Sequence, residues 1–170
     1  MSKRTSAKKK ISRKLGGSLW GQAKDPYNKR NYKPGQHGAS QRSRASDYSN
    51  QLRAKQRMKF YYGNITEKQF FNLFQLAEKT RGDVSENFVA LLESRLDAII
   101  YRANFVQVKE KSRKLAITIE TLEKMERDVP SYLQLDKDTF SIQMTTKASF
   151  AEGPYAIEME PHLITEYYSR

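Results

Sequence analysis

Residues 46–103 decide the fold, and they run SDYSNQLRAKQRMKFYYGNITEKQFFNLFQLAEKTRGDVSENFVALLESRLDAIIYRA. The segment contains three apolar patterns with helical spacing, and each follows side chains that can accept hydrogen bonds from a first helical turn. These predicted caps are Ser46 or Asp47, the capping box of Thr66 and Gln69, and the capping box of Asp83 and Glu86. Gly63 and Gly82 predict the ends of the first two helices, and the third pattern continues to Ala103. We therefore expect three amphipathic helices joined by short turns into one helical unit.

The charge of the chain is concentrated in front of this unit and in its first helix. The net charge is +12 at pH 7. Residues 1–62 carry 17 Lys and Arg against two acids, Asp25 and Asp47, whereas the other 108 residues carry 14 Lys and Arg against 17 acids. A cationic front end on a nearly neutral body indicates a polyanionic partner.

Residues 1–45 are predicted to form a basic arm with few side chains that could build a core. Its candidates for packing are Ile11, Leu15, Leu19, Trp20, Tyr27 and Tyr32. Prolines and glycines at 26, 34, 35 and 38 predict turns within it. Such a segment cannot offset the entropy lost on ordering, so we expect an extended arm that takes its shape from the polyanion.

The mixture of residue types in the arm favours structured RNA as that polyanion. Lys and Arg pair with phosphate oxygens, and aromatic rings such as Trp20 and Tyr32 stack on bases or pack on sugars. A solubilising charged tail would explain Lys8–Lys10 but not the aromatic, proline and glycine residues between the cations. For His37 we favour a loop or phosphate contact over a general base.

The last third of the chain predicts a smaller second lobe. Leu115, Ala116, Ile119, Leu122 and Met125 have the spacing of a fourth helix, which would end before Pro130. The alternation in residues 132–144 around Asp136-Lys137-Asp138 predicts an antiparallel β-hairpin. The aromatic C-terminal tail is expected to dock on the body. The predicted fold class is α+β, mostly helical.

Several classes of function are excluded or made less favourable by composition. The chain has no cysteine and two histidines, His37 and His162, so disulfides, thiolate zinc sites and a histidine-based metal site are not expected. It has no apolar run of membrane-spanning length and no phosphate-binding glycine loop. We expect no enzyme activity, no cofactor and no membrane partner. The acid-free first 17 residues suit a mitochondrial transit peptide, but they lack its apolar face and are interpreted as a basic arm.

Several long motifs along the chain resemble one family. They are LGGSLWG, NKRNYKPGQHG, SDYSNQLRAKQRMKFYYGNITEKQF, GDVSENFVALLESRLDAIIYRANFV, KEKSRKL, ERDVPSYL and MEPHLITEYYSR. In this order they resemble the bacterial ribosomal protein S4 family, and most closely its cysteine-free alphaproteobacterial type. The resemblance implies a structural protein that binds the five-prime domain of small-subunit ribosomal RNA (rRNA) early in assembly.

We predict three groups of functional residues from the arm, the first helix and this resemblance. The predicted rRNA-binding residues are Lys8, Lys9, Lys10, Arg13, Lys14, Trp20, Lys24, Lys29, Arg30, Tyr32, Lys33, Gln36, His37, Arg53, Lys55, Arg57, Lys59, Arg95 and Arg102. The resemblance places Arg42 and Arg44 near the mRNA entry tunnel, although Gln41 stands where a cation is usual. It places Tyr48, Gln51, Tyr167, Tyr168 and Arg170 against a neighbouring small-subunit protein. Ordinary helix packing is an equal alternative for Tyr48.

The resemblance also has a gap. After RLDAIIYRANFV the chain passes directly to QVKEKSRKL, so a few dozen residues of the family's namesake RNA-binding motif are absent. We therefore divide the chain into a basic rRNA-binding arm (1–45), a helical domain (46–105) and a truncated second lobe with the C-terminal tail (106–170). Because the predicted hairpin has lost strand partners, we expect the second lobe to be weakly stable away from the ribosome.

Two other functions compete with a structural ribosomal role. A free regulatory RNA-binding protein, such as a translational repressor, would use the same arm. An RNA-modifying enzyme would need a catalytic acid, and Asp97 is better explained by an ion pair with Arg95 or Arg102. We expect a ribosomal, cytoplasmic location, with the mitochondrial matrix ribosome as the alternative, and no independent homo-oligomer.

Overall fold

The computed structural model describes residues 7–40, 45–103, 128–136 and 141–169. Its elements are α1 (Lys8–Leu15), a short 3-10 turn (Pro26–Asn28), α2 (Asp47–Tyr61), α3 (Glu67–Lys79), α4 (Val84–Glu93), α5 (Leu96–Arg102), β1 (Leu133–Asp136), β2 (Ser141–Met144) and α6 (Pro161–Tyr168). This mostly helical chain with one antiparallel strand pair confirms the predicted α+β class. The predicted helix over 115–125 lies outside the described residues.

The predicted caps form at the start of each of the three long helices. Ser46 Oγ accepts a hydrogen bond from the backbone N–H of Ser49 at 3.3 Å. Thr66 Oγ1 accepts one from the N–H of Gln69 at 3.3 Å, and Asp83 Oδ2 accepts one from the N–H of Glu86 at 2.8 Å. These bonds satisfy N–H groups that have no partner inside a helix, so they fix where the helices begin.

The third predicted helix is two helices. Arg95 has an extended backbone (φ −68°, ψ 140°), which ends α4 after Glu93 and lets α5 begin at Leu96. The Arg95 guanidinium donates to both carboxylate oxygens of Asp97, at 3.0 and 2.8 Å. Residues two apart do not face each other on a continuous helix, so this fork stabilises the break.

The arm also differs from the expected extended segment. Residues 8–15 form α1, and Gly16 ends it in the left-handed conformation at φ +76°. Leu15 and Leu19 are 4% and 0% exposed. The few apolar side chains of the arm therefore build a small core, and its cations extend from a folded base.

The chain divides into two compact units, and the first combines Met1–Phe70 with Tyr155–Arg170. Within it, α6 packs along α2, so the predicted docking of the C-terminal tail is confirmed. Its buried apolar side chains include Leu15, Leu19, Met58, Ile65, Phe70 and Ile164. Gly17 permits a close approach in this unit, since a Cβ there would lie 1.9 Å from Ile157 Cδ1.

The second unit comprises Phe71–Pro154. Strands β1 and β2 pair antiparallel with Leu133 opposite Met144 and Leu135 opposite Ile142, which confirms the predicted hairpin. Tyr132, Leu133 and Ala148 form its buried cluster. Among the described residues of this unit, the two strands pair only with each other, and Ile99 of α5 packs against their buried cluster.

Candidate nucleic-acid interface

Six cations of the arm form an accessible basic surface. They are Lys9, Lys10, Lys14, Lys24, Lys29 and Arg30, and all are exposed. None forms an ion pair with a carboxylate within the described part of the chain. Their charges are therefore available to an external anion.

No acid opposes this surface from within the arm. Asp25 is the single acid of residues 1–45, and it is 5% exposed. Its carboxylate accepts hydrogen bonds from the backbone N–H of Tyr27 at 2.9 Å and from Ser18 Oγ at 3.3 Å. The one negative charge is thus used internally to cap the 3-10 turn.

The aromatic residues of the arm lie beside its cations. Lys8 Nζ is 5.7 Å from the centre of the Trp20 ring, and Trp20 is half-buried. Tyr32 is 38% exposed and begins a tight loop whose tip presents Gln36 and His37 to solvent. Cations and rings at one surface suit a ligand with phosphates and bases.

Two predicted RNA-binding lysines face the protein interior. Lys55 and Lys59 of α2 both donate to Glu67, with Nζ–Oε distances of 2.8 and 2.6 Å. The Lys55 side chain is 6% exposed and that of Lys59 11%. The structure uses both charges in an ion cluster, so these residues are not part of the accessible surface.

Glu67 is the acid at the centre of that cluster. Partial burial acts to raise its pKa, but hydrogen bonds from Lys55, Lys59 and Tyr168 outweigh this effect and lower the pKa to about 2. Half of the Glu67 side chain remains accessible, so solvent screens part of the attraction. The carboxylate ties α2, the start of α3 and the end of α6 together.

Two further arginines of the first unit also have internal partners. Arg57 Nε donates to the carbonyl of Leu15 at 3.0 Å, and its guanidinium pairs with Glu160 at 3.4 Å. Arg13 donates to the backbone carbonyls of Tyr32 and Lys33. Lys33 is half-buried, and Arg53 lines a cavity of about 470 Å³ along α2 and α6.

The two predicted arginines of the second unit are also paired. Arg95 pairs with Asp97, which confirms an ion pair as the explanation of that acid. Arg102 is 4% exposed, and its guanidinium donates to Glu93 Oε1 at 2.6 Å and to Oε2 at 3.1 Å. A cation so buried presents no charge to solvent.

The predicted protein-contact residues come together where α2 meets α6. The Tyr48 and Tyr167 rings are 5.7 Å apart, and Lys55 Nζ lies 4.1 Å from the centre of the Tyr167 ring. Hydrogen bonds with Tyr48 and then with Lys55 lower the pKa of Tyr167. Burial, and then its hydrogen bond to Glu67, raise the pKa of Tyr168.

Gln51 lies in the same groove and is 5% exposed. Its Nε2 donates to Glu166 at 2.9 Å, while its Oε1 receives no hydrogen bond from the described residues. Tyr48, by contrast, is 50% exposed. The groove therefore exposes the ring of Tyr48 and buries the Gln51–Glu166 contact.

Three nominated residues, Arg42, Arg44 and Arg170, lie outside the described residues, as does Gln41. The sequence indicated Asp97 as an ion-pair partner, but it did not indicate the other three acids that pair with predicted RNA-binding cations, which are Glu67, Glu93 and Glu160. One signal was available for the lysines, because Lys55 and Lys59 share a helical face with Ala54 and Met58.

The described residues contain no cluster of acids and histidines that could hold a metal ion. They also contain no helix long and apolar enough to cross a membrane.

Comparison with known proteins decides the family. Residues 3–93, more than half of the chain, match the model of the ribosomal protein S4/S9 N-terminal domain. The chain belongs to the ribosomal protein S4 family. Members of this family are structural proteins without enzymatic activity, so the prediction that the chain is not an enzyme is confirmed.

The S4 relatives of the chain include alphaproteobacterial proteins named small ribosomal subunit protein uS4. The protein of Bartonella henselae is 41% identical and that of Paracoccus denitrificans 40%, with both chains covered completely. The protein of Hyphomonas neptunium is 42% identical over 99% of this chain and all of its own.

The alignment with the Bartonella protein contains positions that this chain lacks. It spans 205 positions and includes all 170 residues of this chain, so 35 positions have no residue here. This number agrees with the few dozen residues expected to be absent from the namesake motif. The chain is therefore an S4-family member with a shortened sequence.

Proposed function

We propose that this chain is a structural constituent of the small ribosomal subunit that binds small-subunit rRNA through its arm. The observation that carries the proposal is the set of exposed arm cations that form no ion pair with the described acids. Family membership supports it, since its alphaproteobacterial relatives bear the name of a small-subunit protein. The proposal includes nucleation of five-prime domain assembly and a cytoplasmic ribosomal location.

The RNA surface that we propose contains fewer residues than we predicted from the sequence. It consists of the exposed arm residues Lys8, Lys9, Lys10, Lys14, Lys24, Lys29, Arg30, Gln36 and His37, together with the rings of Trp20 and Tyr32. Lys55, Lys59 and Arg102 are omitted because their charges are neutralised by buried or half-exposed carboxylates. We therefore expect the salt dependence of RNA affinity to come from the arm and not from α2.

Two further contacts complete the proposal. Arg42 and Arg44 follow the loop that carries His37, and we place them at the mRNA entry. The α2–α6 groove would receive a neighbouring small-subunit protein at Tyr48, Gln51, Tyr167, Tyr168 and Arg170. The exposed ring of Tyr48 supports this, since accessible aromatic side chains are enriched in protein interfaces.

Binding to an in vitro transcript of the rRNA five-prime domain tests the RNA contact. The variant K9Q/K10Q/K14Q removes three exposed arm cations, and the matched control K68Q/K79Q/R81Q removes three exposed cations elsewhere. Each phosphate contact contributes about −0.7 to −0.9 to the slope of log affinity against log salt, so the arm variant should lose about 2 to 3 of that slope. The control should keep the wild-type slope, and equal losses in both variants would count against an arm interface.

Sucrose-gradient sedimentation of lysates from cells that express the chain tests the ribosomal location. The wild-type chain should co-sediment with small subunits at moderate salt, and the arm variant should shift toward ribosome-free fractions. A wild-type chain found solely in ribosome-free fractions would overturn the proposal in favour of a free regulatory RNA-binding protein.

A further inference from the structure

We propose that Arg13 is a positioning residue of the RNA surface and not one of its phosphate ligands. Its guanidinium fixes the loop Tyr32–Gly38 on α1 before RNA binds. This inference rests on the proposed RNA contact of the arm and assigns a different role to one of its cations.

The geometry of Arg13 is that of a fork on two consecutive carbonyls. Its Nε donates to the carbonyl of Tyr32 at 3.1 Å, and an Nη atom donates to the carbonyl of Lys33 at 3.2 Å. The guanidinium carbon also lies 4.8 Å from the centre of the Tyr32 ring. Planar donors and a ring contact at one site need arginine, because a lysine ammonium is a single compact charge that cannot reproduce the fork.

Arg13 can fix this loop because α1 is itself held in place. Leu15 at the end of α1 is buried, and its carbonyl accepts a hydrogen bond from Arg57 of α2 at 3.0 Å. Arg57 also pairs with Glu160 at 3.4 Å. The contacts therefore run from Glu160 through Arg57 and α1 to the loop, all within the first unit.

The Lys33 carbonyl, which accepts a hydrogen bond from Arg13, lies beside the turn that closes the loop. The N–H of Gly38 donates to the carbonyl of Gly35 at 3.2 Å, which closes the turn. A Cβ on Gly38 would lie 1.8 Å from the Lys33 carbonyl oxygen, the same atom that accepts from Arg13. The orientation of the Lys33 peptide therefore fixes the direction in which Gln36 and His37 project.

Conservative replacement distinguishes positioning from direct contact. A phosphate-binding arginine keeps most of its effect when replaced by lysine, because lysine also binds phosphate as a point charge. An arginine that donates to two carbonyls loses its effect when lysine replaces it, because lysine cannot reproduce the fork. We therefore expect R13K and R13Q to weaken binding to the five-prime domain transcript equally, by about five- to tenfold, as expected for the loss of one or two hydrogen bonds.

Lys14, the next residue on α1, is the control. It is exposed and part of the proposed RNA surface, so K14Q should flatten the salt slope by about 0.7 to 0.9, whereas K14R keeps the charge and should keep the slope. Wild-type affinity in R13K together with weakened R13Q would make Arg13 a direct phosphate ligand and overturn the inference. Wild-type affinity in both Arg13 variants would overturn it too.

Amide hydrogen exchange on the free full-length chain separates this inference from the proposed function. R13K should speed the exchange of the Gly38 amide and leave the amides of α4 unchanged. If wild-type protein does not bind the transcript, the proposed function fails, while the exchange result still decides the role of Arg13. Unchanged Gly38 exchange in R13K would overturn the inference whatever the RNA result.

Discussion

The hydroxyl of Tyr132 donates a hydrogen bond of 3.0 Å to Glu93 Oε2, although 39 residues separate them in the chain. Glu93 also accepts from Arg102, and all three side chains are buried. The arrangement links the end of α4, the end of α5 and the entry to the hairpin. Burial, reinforced by the nearby charge of Glu93, raises the pKa of Tyr132 well above its usual range.

Removing one member of this buried ion pair should destabilise the second unit severely. Arg102→Met leaves the Glu93 carboxylate buried without its cation, and we expect the free energy of unfolding to fall by about 3–5 kcal/mol. Arg95→Met is the matched control because the Arg95–Asp97 pair is more exposed, and it should cost below about 1 kcal/mol. Urea unfolding followed by far-ultraviolet circular dichroism measures both, and equal costs would contradict the prediction.

The ion cluster around Glu67 should make the first unit sensitive to acid. Its pKa of about 2 lies below the unperturbed 4.5, so the folded state binds the proton less readily than the unfolded state. The cluster's stabilisation is therefore full above pH 4.5 and is lost as pH falls toward 2.

Urea unfolding between pH 6 and 2 tests this, because Glu67→Gln removes the titrating group. The variant should be less stable than wild type at about pH 6 and should lose less stability on acidification. Glu78→Gln is the control, since Glu78 is an exposed acid of α3 outside the cluster. A wild-type acid profile in Glu67→Gln would show that the cluster does not control the transition.

Gly38→Ala should open the loop of the arm. The new Cβ would lie 1.8 Å from the Lys33 carbonyl oxygen, so the backbone must move. We expect faster amide exchange at residues 35–38 and weaker rRNA binding. Ala39→Ser changes the exposed neighbour and should leave both unchanged. A Gly38→Ala variant with wild-type exchange would contradict the close approach.

The hairpin should be the least protected regular structure of the second unit in the free protein. Two strands alone are marginal, and β1 and β2 are supported by a small cluster that includes Tyr132 and Ile99. Amide exchange should therefore be faster across 133–144 than across α4. Protection equal to that of α4 would refute the hypothesis of a weakly stable second lobe.

Local signals predicted much of this fold. Caps at Ser46, Thr66 and Asp83 placed the helix starts, and alternation around Leu133 and Ile142 placed the hairpin. These features could be predicted because the groups that form them are close in sequence.

The contacts that the sequence did not indicate are those between residues that lie far apart in the chain. Lys55 and Lys59 pair with an acid on the next helix, and Arg102 meets Glu93 across the break at Arg95. Arg13 holds carbonyls about 20 residues away. A count of charges predicts that such cations are available to RNA, whereas in the structure they contact carboxylates or carbonyls of the protein itself.

The first unit is built from the two ends of the chain, Met1–Phe70 and Tyr155–Arg170. During synthesis α6 is made after the 71–154 segment, so Tyr168, Glu160 and Glu166 become available to Glu67, Arg57 and Gln51 only after that segment has been made. The 71–154 segment is thus synthesised before the first unit can be completed. A nascent chain stalled before residue 155 would lack α6 and expose the face of α2 that α6 covers.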